Sequence, residues 1–292
     1  MTVAAPKVPS LPEIYNRHLR ILGFDAPPSG LDGLRSIVRA HLLRVPFENI
    51  SKLLLFGREG RGRFFTLPEF LDGIEHFDLG GTCYGANPFL GELLRALGYE
   101  ADLHGANMQR GLNVHTSLRV RIDDRAYHVD VGYGGPFREP IALDRLPFEI
   151  VEGANRYVFD REPHGEGYEM AVFSGQERVH GYIVHGPPRS LDFFTPAMQN
   201  SFAPNATFMN CLRICRFFDG HSVTLLNGEL TIHRGATAEC RELSGVAEVE
   251  AALAAEFEMP RCPARAAIGT MERISGKPML DGPAARAESG RA

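Results

Sequence analysis

The hydrophobic pattern of this 292-residue chain changes period near residue 98, so its fold must join a helical segment to a sheet. Before that point apolar residues recur at helical spacing. Leu11, Ile14, Tyr15, His18 and Leu22 share one face, and Leu31, Leu34, Ile37, Val38, His41 and Leu42 form a second stripe. Thr66-Leu67-Pro68-Glu69 has the form of a capping box with proline near the helix start, and it opens a third helix carrying Phe70, Leu71 and Ile74. A fourth runs from Cys83 through Phe89, Leu90, Leu93, Leu94 and Leu97, with Gly98 as its terminator. Beyond Gly98 the period drops to two. Val114, Thr116, Leu118, Val120 and Ile122 share one face of a strand, and Asn113, His115, Ser117, Arg119 and Arg121 the other. Asp123 to Ala126 reads as a turn, and Tyr127 to Val131 as the returning strand. Further strands are predicted at Arg156–Phe159, Tyr168–Phe173 and Ser222–Leu226, and a single late helix over Val246–Phe257. The stretch from Pro136 to Asp160 has weak periodicity and no firm assignment. The tail from about Gly282, rich in Ala, Gly, Arg and Ser, reads as disordered.

Bulk properties exclude several classes. The net charge of −5 argues against a general nucleic-acid footprint. No apolar run reaches the length of a membrane span, and Met1–Pro12 lacks the pattern of a signal peptide. The five cysteines are sparse and odd in number, which suits a reducing cytoplasm better than a disulfide framework. Cys211 and Cys215 lack a second ligand pair and read as packing residues rather than a metal site.

Cys83 stands apart. Gly80 and Gly81 run straight into its helix, and a thiol at a helix start lies where the helix dipole favours the thiolate. The Tyr84 amide, free at the helix start, is a candidate oxyanion donor. His115 follows 32 residues on and Asp130 another 15, the order of nucleophile, base and orienter. Strand alternation alone predicts His115 to be an exposed histidine. Asp130 lies inside the apolar run Val129-Asp130-Val131, where an aspartate is costly without a partner, and a histidine would serve. The register is the difficulty. A turn tip at Asp124–Arg125 sets Asp130 opposite Arg119, leaving His115 roughly 13 Å away at about 3.3 Å per residue. A bulge or a different register is needed to close the triad.

The chain resembles the arylamine N-acetyltransferase family through motifs in order: Val45-Pro46-Phe47-Glu48-Asn49-Ile50, Gly80-Gly81-Thr82-Cys83-Tyr84-Gly85-Ala86-Asn87, His115-Thr116-Ser117-Leu118, Val129-Asp130-Val131-Gly132-Tyr133-Gly134-Gly135, and Asn200-Ser201-Phe202 with Pro204 and Phe208. The resemblance covers roughly residues 10 to 270. It implies an α+β fold with a cysteine-protease-like Cys-His-Asp core: a helical bundle (1–98) carrying the nucleophile, a β-barrel domain (99–200) carrying His115 and Asp130, and an α/β lid (201–292). It implies a ping-pong reaction in which acetyl-coenzyme A acetylates Cys83 and an arylamine, arylhydrazine or N-hydroxyarylamine takes the acetyl group. His115 is then the base and Asp130 its orienter. Acetyl-coenzyme A is a co-substrate, with no metal and no nucleotide-fold cofactor. Phe47, Tyr133 and Phe208 are candidate walls for an aromatic amine, and Gly132, Gly134 and Gly135 candidate contacts to the pyrophosphate of coenzyme A.

Two departures from the family pattern flank the nucleophile. Leu79 stands where many members carry arginine, and Gly85 where an acidic residue is usual. Glu48, which commonly pairs with that arginine, needs another donor, and Arg44 is the nearest candidate in sequence. Other functions for the same residues are an amide synthase moving a larger acyl thioester, a Cys-His-Asp hydrolase, and a binding protein with a degenerate site. Oligomeric state is left open.

Overall fold

The computed structural model describes residues 11–279, apart from residues 110 and 164. The first ten residues lie outside the described residues, as does the tail from Gly282, for which the sequence suggests disorder.

The chain begins with α1 (Glu13–Ile21) and α2 (Gly30–Arg44), then a two-residue strand β1 (Phe47–Glu48), α3 (Ile50–Glu59), α4 (Leu67–Phe77) and α5 (Cys83–Ala96). The capping box at the start of α4 forms as expected: the Glu69 amide donates to Thr66 Oγ1, and the Thr66 amide to the Glu69 carboxylate at 2.8 Å. Helices α1, α2, α4 and α5 bury their apolar stripes in one core with Leu118, Val120 and Val129. Leu90, Leu93 and Leu94 of α5 are fully buried there, each contributing about 1.5–3 kcal/mol by removal from water. His18 and His41 are sealed in the same region without hydrogen-bond partners among the described residues, their rings 6.4 Å apart.

The strands follow: β2 (Glu100–Met108), β3 (Gly111–Ile122), β4 (Arg125–Val129), β5 (Ile141–Ala142), β6 (Phe148–Glu152), β7 (Asn155–Arg161), β8 (Tyr168–Ser174) and β9 (Glu177–Val184). They form an antiparallel eight-stranded sheet in the order β5-β4-β3-β2-β9-β8-β7-β6, curled into a nearly closed barrel. The stretch that sequence periodicity left unassigned holds β5, β6 and the start of β7. A short helix α6 (Thr195–Asn200) leads to β10 (Arg213–Phe217), β11 (Ser222–Leu226), β12 (Glu229–Arg234) and β13 (Thr237–Glu242), followed by α7 (Val246–Ala255) and α8 (Ala264–Ser275). This second sheet runs β1-β10-β11-β12-β13, so Phe47 and Glu48 pair with Cys215 and Ile214 far along the chain. Helix α3 shares its core with that sheet and with α7 and α8. The architecture is α+β, as expected.

Three helices escaped the sequence reading, the short α6 and the longer α3 and α8. In α3 the residues Leu53-Leu54-Leu55-Phe56 form a continuous apolar run, which hides the helical period. In α8 the buried positions include Ala264, Ala267 and Thr270, residues too small or too polar to mark a stripe. The late helix is therefore one of a pair.

Candidate active site

The β3–β4 hairpin decides whether the site exists. Its turn is the pair Asp123–Asp124, with Asp123 in the left-handed region at φ 52°, and Ile122 lies opposite Arg125. Leu118 pairs with Val129, so Asp130 comes to the level of Ser117 rather than Arg119. Two residues of register separate this from the expected pairing. The shift preserves the face and brings Asp130 diagonally next to His115, with no bulge between β3 and β4. His115 Nε2 lies 2.8 Å from Asp130 Oδ2.

His115 is not an exposed strand residue, which corrects the reading from alternation: 3% of its surface is accessible. Strand β3 is covered on both sides. Its Leu118 and Val120 pack in the core they share with α5, while His115 meets the rings of Tyr182 at 4.8 Å and Tyr133 at 5.7 Å. A strand sandwiched in this way still alternates in sequence, because the residues facing the barrel are polar for reasons other than solvent.

Cys83 is the first residue of α5 and is buried to 8% exposure. The loop that delivers it is held closely. A side chain at Gly80 would place Cβ 1.9 Å from the Pro46 carbonyl oxygen, and Gly81 sits at φ 131°. The Glu48 amide donates to the Gly81 carbonyl at 3.1 Å. The Glu48 carboxylate accepts from the Gly80 amide at 3.0 Å and the Ser51 amide at 2.8 Å. Glu48 therefore needs no cation. Arg44 lies elsewhere, its guanidinium against Gly23, and is not its partner. Burial pushes the Glu48 carboxyl above its ordinary range, against the pull of these amide hydrogen bonds. Leu79 turns into the apolar core around α3.

Asn87, one turn after Cys83 on α5, joins the three elements. Its Nδ2 donates to Asp130 Oδ1 at 2.9 Å and to the Thr116 carbonyl at 2.6 Å, and its Oδ1 accepts from the Val131 amide at 2.9 Å. Thr116 Oγ1 in turn donates to the Cys83 carbonyl at 2.8 Å. The Gly132 amide donates to Asp130 Oδ1 at 2.9 Å and Tyr182 Oη to Asp130 Oδ2 at 2.9 Å. Behind Tyr182, His128 bridges Tyr182 Oη at 2.9 Å and Tyr168 Oη at 2.8 Å. Burial drops His128 to about 4, so its ring is neutral at pH 7. Because Tyr182 donates to Asp130, His128 must donate through Nε2 and accept at Nδ1 from Tyr168. Sequence reasoning assigned no role to Asn87, Tyr182 or His128. The spacing of Asn87 from Cys83, one helical turn, was the one signal on offer for the first.

The electrostatics follow from the geometry. Burial alone would push the His115 imidazole down, but the Asp130 charge, Cys83 and the hydrogen bonds to both outweigh it and hold the ring well above its ordinary range. Burial would raise Asp130, but His115 and the hydrogen bonds it accepts hold it below the usual carboxylate range. Asp130 takes Nε2, so Nδ1 is the ring nitrogen left for the Cys83 thiol. The arrangement can move a proton off the thiol and keep it on a ring whose orientation is fixed.

The other expected residues fall around this centre. Tyr133 packs on His115 and stacks on Phe137 at 5.8 Å. Phe47 and Phe208 meet edge to face at 5.8 Å, and Phe47 abuts Gly134. Phe47 is buried with Leu42 and Cys215, whereas Phe208 keeps accessible surface. Gly132 has a packing reason to be glycine: a Cβ there would lie 2.5 Å from Cys83 Cα. A separate cavity of about 340 Å³ opens behind the nucleophile loop, lined by Ser51, Phe70, Leu79, Gly80 and Pro263 among others, and no triad residue lines it. Among the described residues no cluster of His, Cys, Asp and Glu could hold a metal ion, and no helix is long and apolar enough to cross a membrane.

A family model described as N-acetyltransferase matches residues 30–261. The chain is 26% identical over 253 residues to the arylamine N-acetyltransferase of Mycolicibacterium smegmatis, covering 82% of this chain and 90% of that one. It is 30% identical over 169 residues to the N-malonyltransferase FDB2 of Fusarium pseudograminearum, covering 51% of this chain and 47% of the relative. Among solved structures it matches the arylamine N-acetyltransferase of Mycobacterium marinum in complex with CoA, with a TM-score of 0.75 at 21% identity over 89% of this chain and 99% of the other. With a family model matching over most of its length and a shared overall fold, the chain belongs to the arylamine N-acetyltransferase family.

Proposed function

We propose that this protein is an acetyl-coenzyme A-dependent N-acetyltransferase acting on arylamines, arylhydrazines or N-hydroxyarylamines through an acetyl-Cys83 intermediate. The observation that carries the reading is the chain of contacts from Asp130 through His115 to a thiol at the start of α5. In the first half-reaction Cys83 Sγ attacks the thioester carbonyl and its proton passes to His115. The Tyr84 amide, free at the start of α5, receives the oxyanion. The C–S bond to coenzyme A breaks and coenzyme A leaves with the proton from His115. In the second, the amine nitrogen attacks the acetyl-cysteine carbonyl and gives its proton to His115. The Cys83 C–S bond breaks, the thiol is restored and the amide departs. Asp130 holds the imidazole and stabilises its positive charge.

The acceptor lies against Tyr133 and Phe208, whose accessible faces suit a flat ring, with Phe47 supporting Phe208 from behind. Gly134, half-exposed, is the best placed of the three glycines to offer an amide to the pyrophosphate, since Gly132 and Gly135 are buried. The reaction belongs in a reducing compartment, where Cys83 stays a free thiol, and a cytoplasmic location meets that need.

The test is direct. Incubation with acetyl-coenzyme A adds one acetyl group to the protein, mapped to Cys83 and missing in Cys83→Ala, and an arylamine discharges it as the amide with parallel double-reciprocal lines. A protein that takes up no acetyl group refutes the reading.

A further inference from the structure

Lys52 is placed where a lysine should not be unless something binds it. It lies in the first turn of α3, where the helix dipole disfavours a cation, and only 6% of its surface is accessible. Taking an ammonium out of water costs several kcal/mol unless it is paired. Its Nζ donates to Ser201 Oγ at 2.7 Å and lies 4.3 Å from the centre of the Phe202 ring. Among the described residues no carboxylate pairs with it. Glu48, four residues earlier, spends both oxygens on backbone amides. One of three ammonium donors is satisfied by a neutral hydroxyl and the ring takes a second direction, which leaves capacity for an anion.

Its neighbourhood identifies the anion. Helix α3 runs beside the nucleophile loop, tied to it by Glu48 and by Ser51, and Lys52 lies within electrostatic range of Cys83 and Cys211. Burial lowers Lys52 to about 8, with Cys83 and Cys211 pulling the other way, so the side chain is still mainly charged at pH 7. An acyl group on Cys83 that continues for one or two methylenes ends roughly 4–6 Å from the sulfur by ordinary bond lengths. The arylamine wall of Tyr133 and Phe208 belongs to other elements, the loop after β4 and the loop before β10.

We propose that Lys52 lets this enzyme accept, beside acetyl-coenzyme A, acyl donors whose short acyl chain ends in a carboxylate, such as malonyl- or succinyl-coenzyme A. The inference rests on Cys83 as the acyl carrier. The chemistry is unchanged: the acyl–sulfur bond passes from coenzyme A to Cys83 and then to the amine, and the distal carboxylate takes no part in bond making. Lys52 pairs with it while Ser201 and Phe202 hold the ammonium in place.

Rates of coenzyme A release and intact mass are measured without amine for acetyl-, malonyl- and succinyl-coenzyme A, in wild type and Lys52→Met. Wild type loads both malonyl and acetyl, and the malonyl-to-acetyl ratio of kcat/KM falls roughly ten- to a hundredfold in Lys52→Met, the scale of a hydrogen bond to a charged group. Ser201→Ala lowers the same ratio by a smaller factor and supplies the reading if Lys52→Met fails to fold. A parallel arm compares aniline with 4-aminobenzoate as acceptor. A malonyl-to-acetyl ratio that the variants leave unchanged overturns the proposal, as does a loss confined to the carboxylated amine. A wild type that loads no thioester at all refutes the acyl-carrier reading itself, a different result.

Discussion

Tyr182→Phe isolates one hydroxyl at the back of the triad. The ring stays, with its packing against His115 at 4.8 Å and Tyr133 at 5.3 Å. What is lost is the hydrogen bond from Oη to Asp130 Oδ2 and the acceptor for His128 Nε2–H. Tyr182 is fully buried, and burial first, then the Asp130 charge, hold its hydroxyl far above the ordinary phenol range, so it is a donor at every working pH. A hydrogen bond to a charged group is worth about 1.5–3 kcal/mol, and an orphaned buried N–H costs about 1–3 kcal/mol. Because Asp130 keeps donors from His115, Asn87 and Gly132, the lower half of that range applies, giving a loss of roughly 2–4 kcal/mol. At about 2–4 °C per kcal/mol, the expected drop in Tm is roughly 5–15 °C. The rate of Cys83 acylation falls much less, under about tenfold, because the Asp130–His115 contact is unbroken. Asp130→Asn does the reverse, abolishing the charge that holds His115 up and costing more than about a hundredfold in acylation. Thermal melts and single-turnover loading separate the two. A Tyr182→Phe protein with wild-type Tm, or one whose loading is as poor as that of Asp130→Asn, contradicts the network derived above.

Gly132→Ala drives a methyl group to 2.5 Å from Cys83 Cα, so acylation is expected to fall at least a hundredfold, read by the burst of coenzyme A; a normal burst contradicts the close approach. Leu79→Arg is expected to lower stability by about 2–4 kcal/mol in urea melts, because Leu79 is buried among apolar side chains and both Glu48 oxygens are already engaged. A more stable variant would mean that Glu48 accepts the guanidinium after all. Stability is also expected to fall as pH drops from about 6.5 towards 4, by up to about 1.4 kcal/mol per pH unit for each of three histidines. Burial takes His18 and His128 down to about 4 and His41, with the help of His18, to about 3, so the unfolded chain binds those protons first. His115, raised on folding, is stabilising throughout this window and loses its contribution only as pH rises through its folded value. Urea midpoints at pH 7, 6 and 5 check the sum, and a flat series refutes it.

Much of the site could be read from the chain, and the parts that could not share a cause. The helix start at Cys83 was legible because glycines before it and a helical stripe after it are local signals. Asp130 was legible because a carboxylate inside an apolar run demands a partner. The contact between Asp130 and His115 was not, because a hairpin register depends on which two residues occupy the turn, and Asp123, Asp124 and Arg125 all suit one. Tyr182 and His128 were invisible for a related reason: their partners are 52 and 54 residues away along the chain. Phe47 and Glu48 look like a local motif, yet they form an edge strand against β10, which no nearby residue announces.

The two residues flanking Cys83 that depart from the family are explained by the side of the loop they face. Gly85 turns toward Phe70, 3.4 Å from where its Cβ would be, and Leu79 joins the apolar core around α3, so neither points at the thiol or at His115. With both Glu48 oxygens taken by backbone amides, the back of the nucleophile loop is braced by backbone hydrogen bonds and apolar contact, and the loop is held at both Gly80 and Gly81. A positive charge nonetheless remains beside the loop, in Lys52. Charge that serves only to brace a loop can be replaced by amides, because the carboxylate needs donors and not a cation. Charge that meets a substrate cannot, because the anion arrives from outside. The apolar Leu79 and the charged Lys52 therefore bear on different properties, the first on how the loop is anchored and the second on which acyl group it carries.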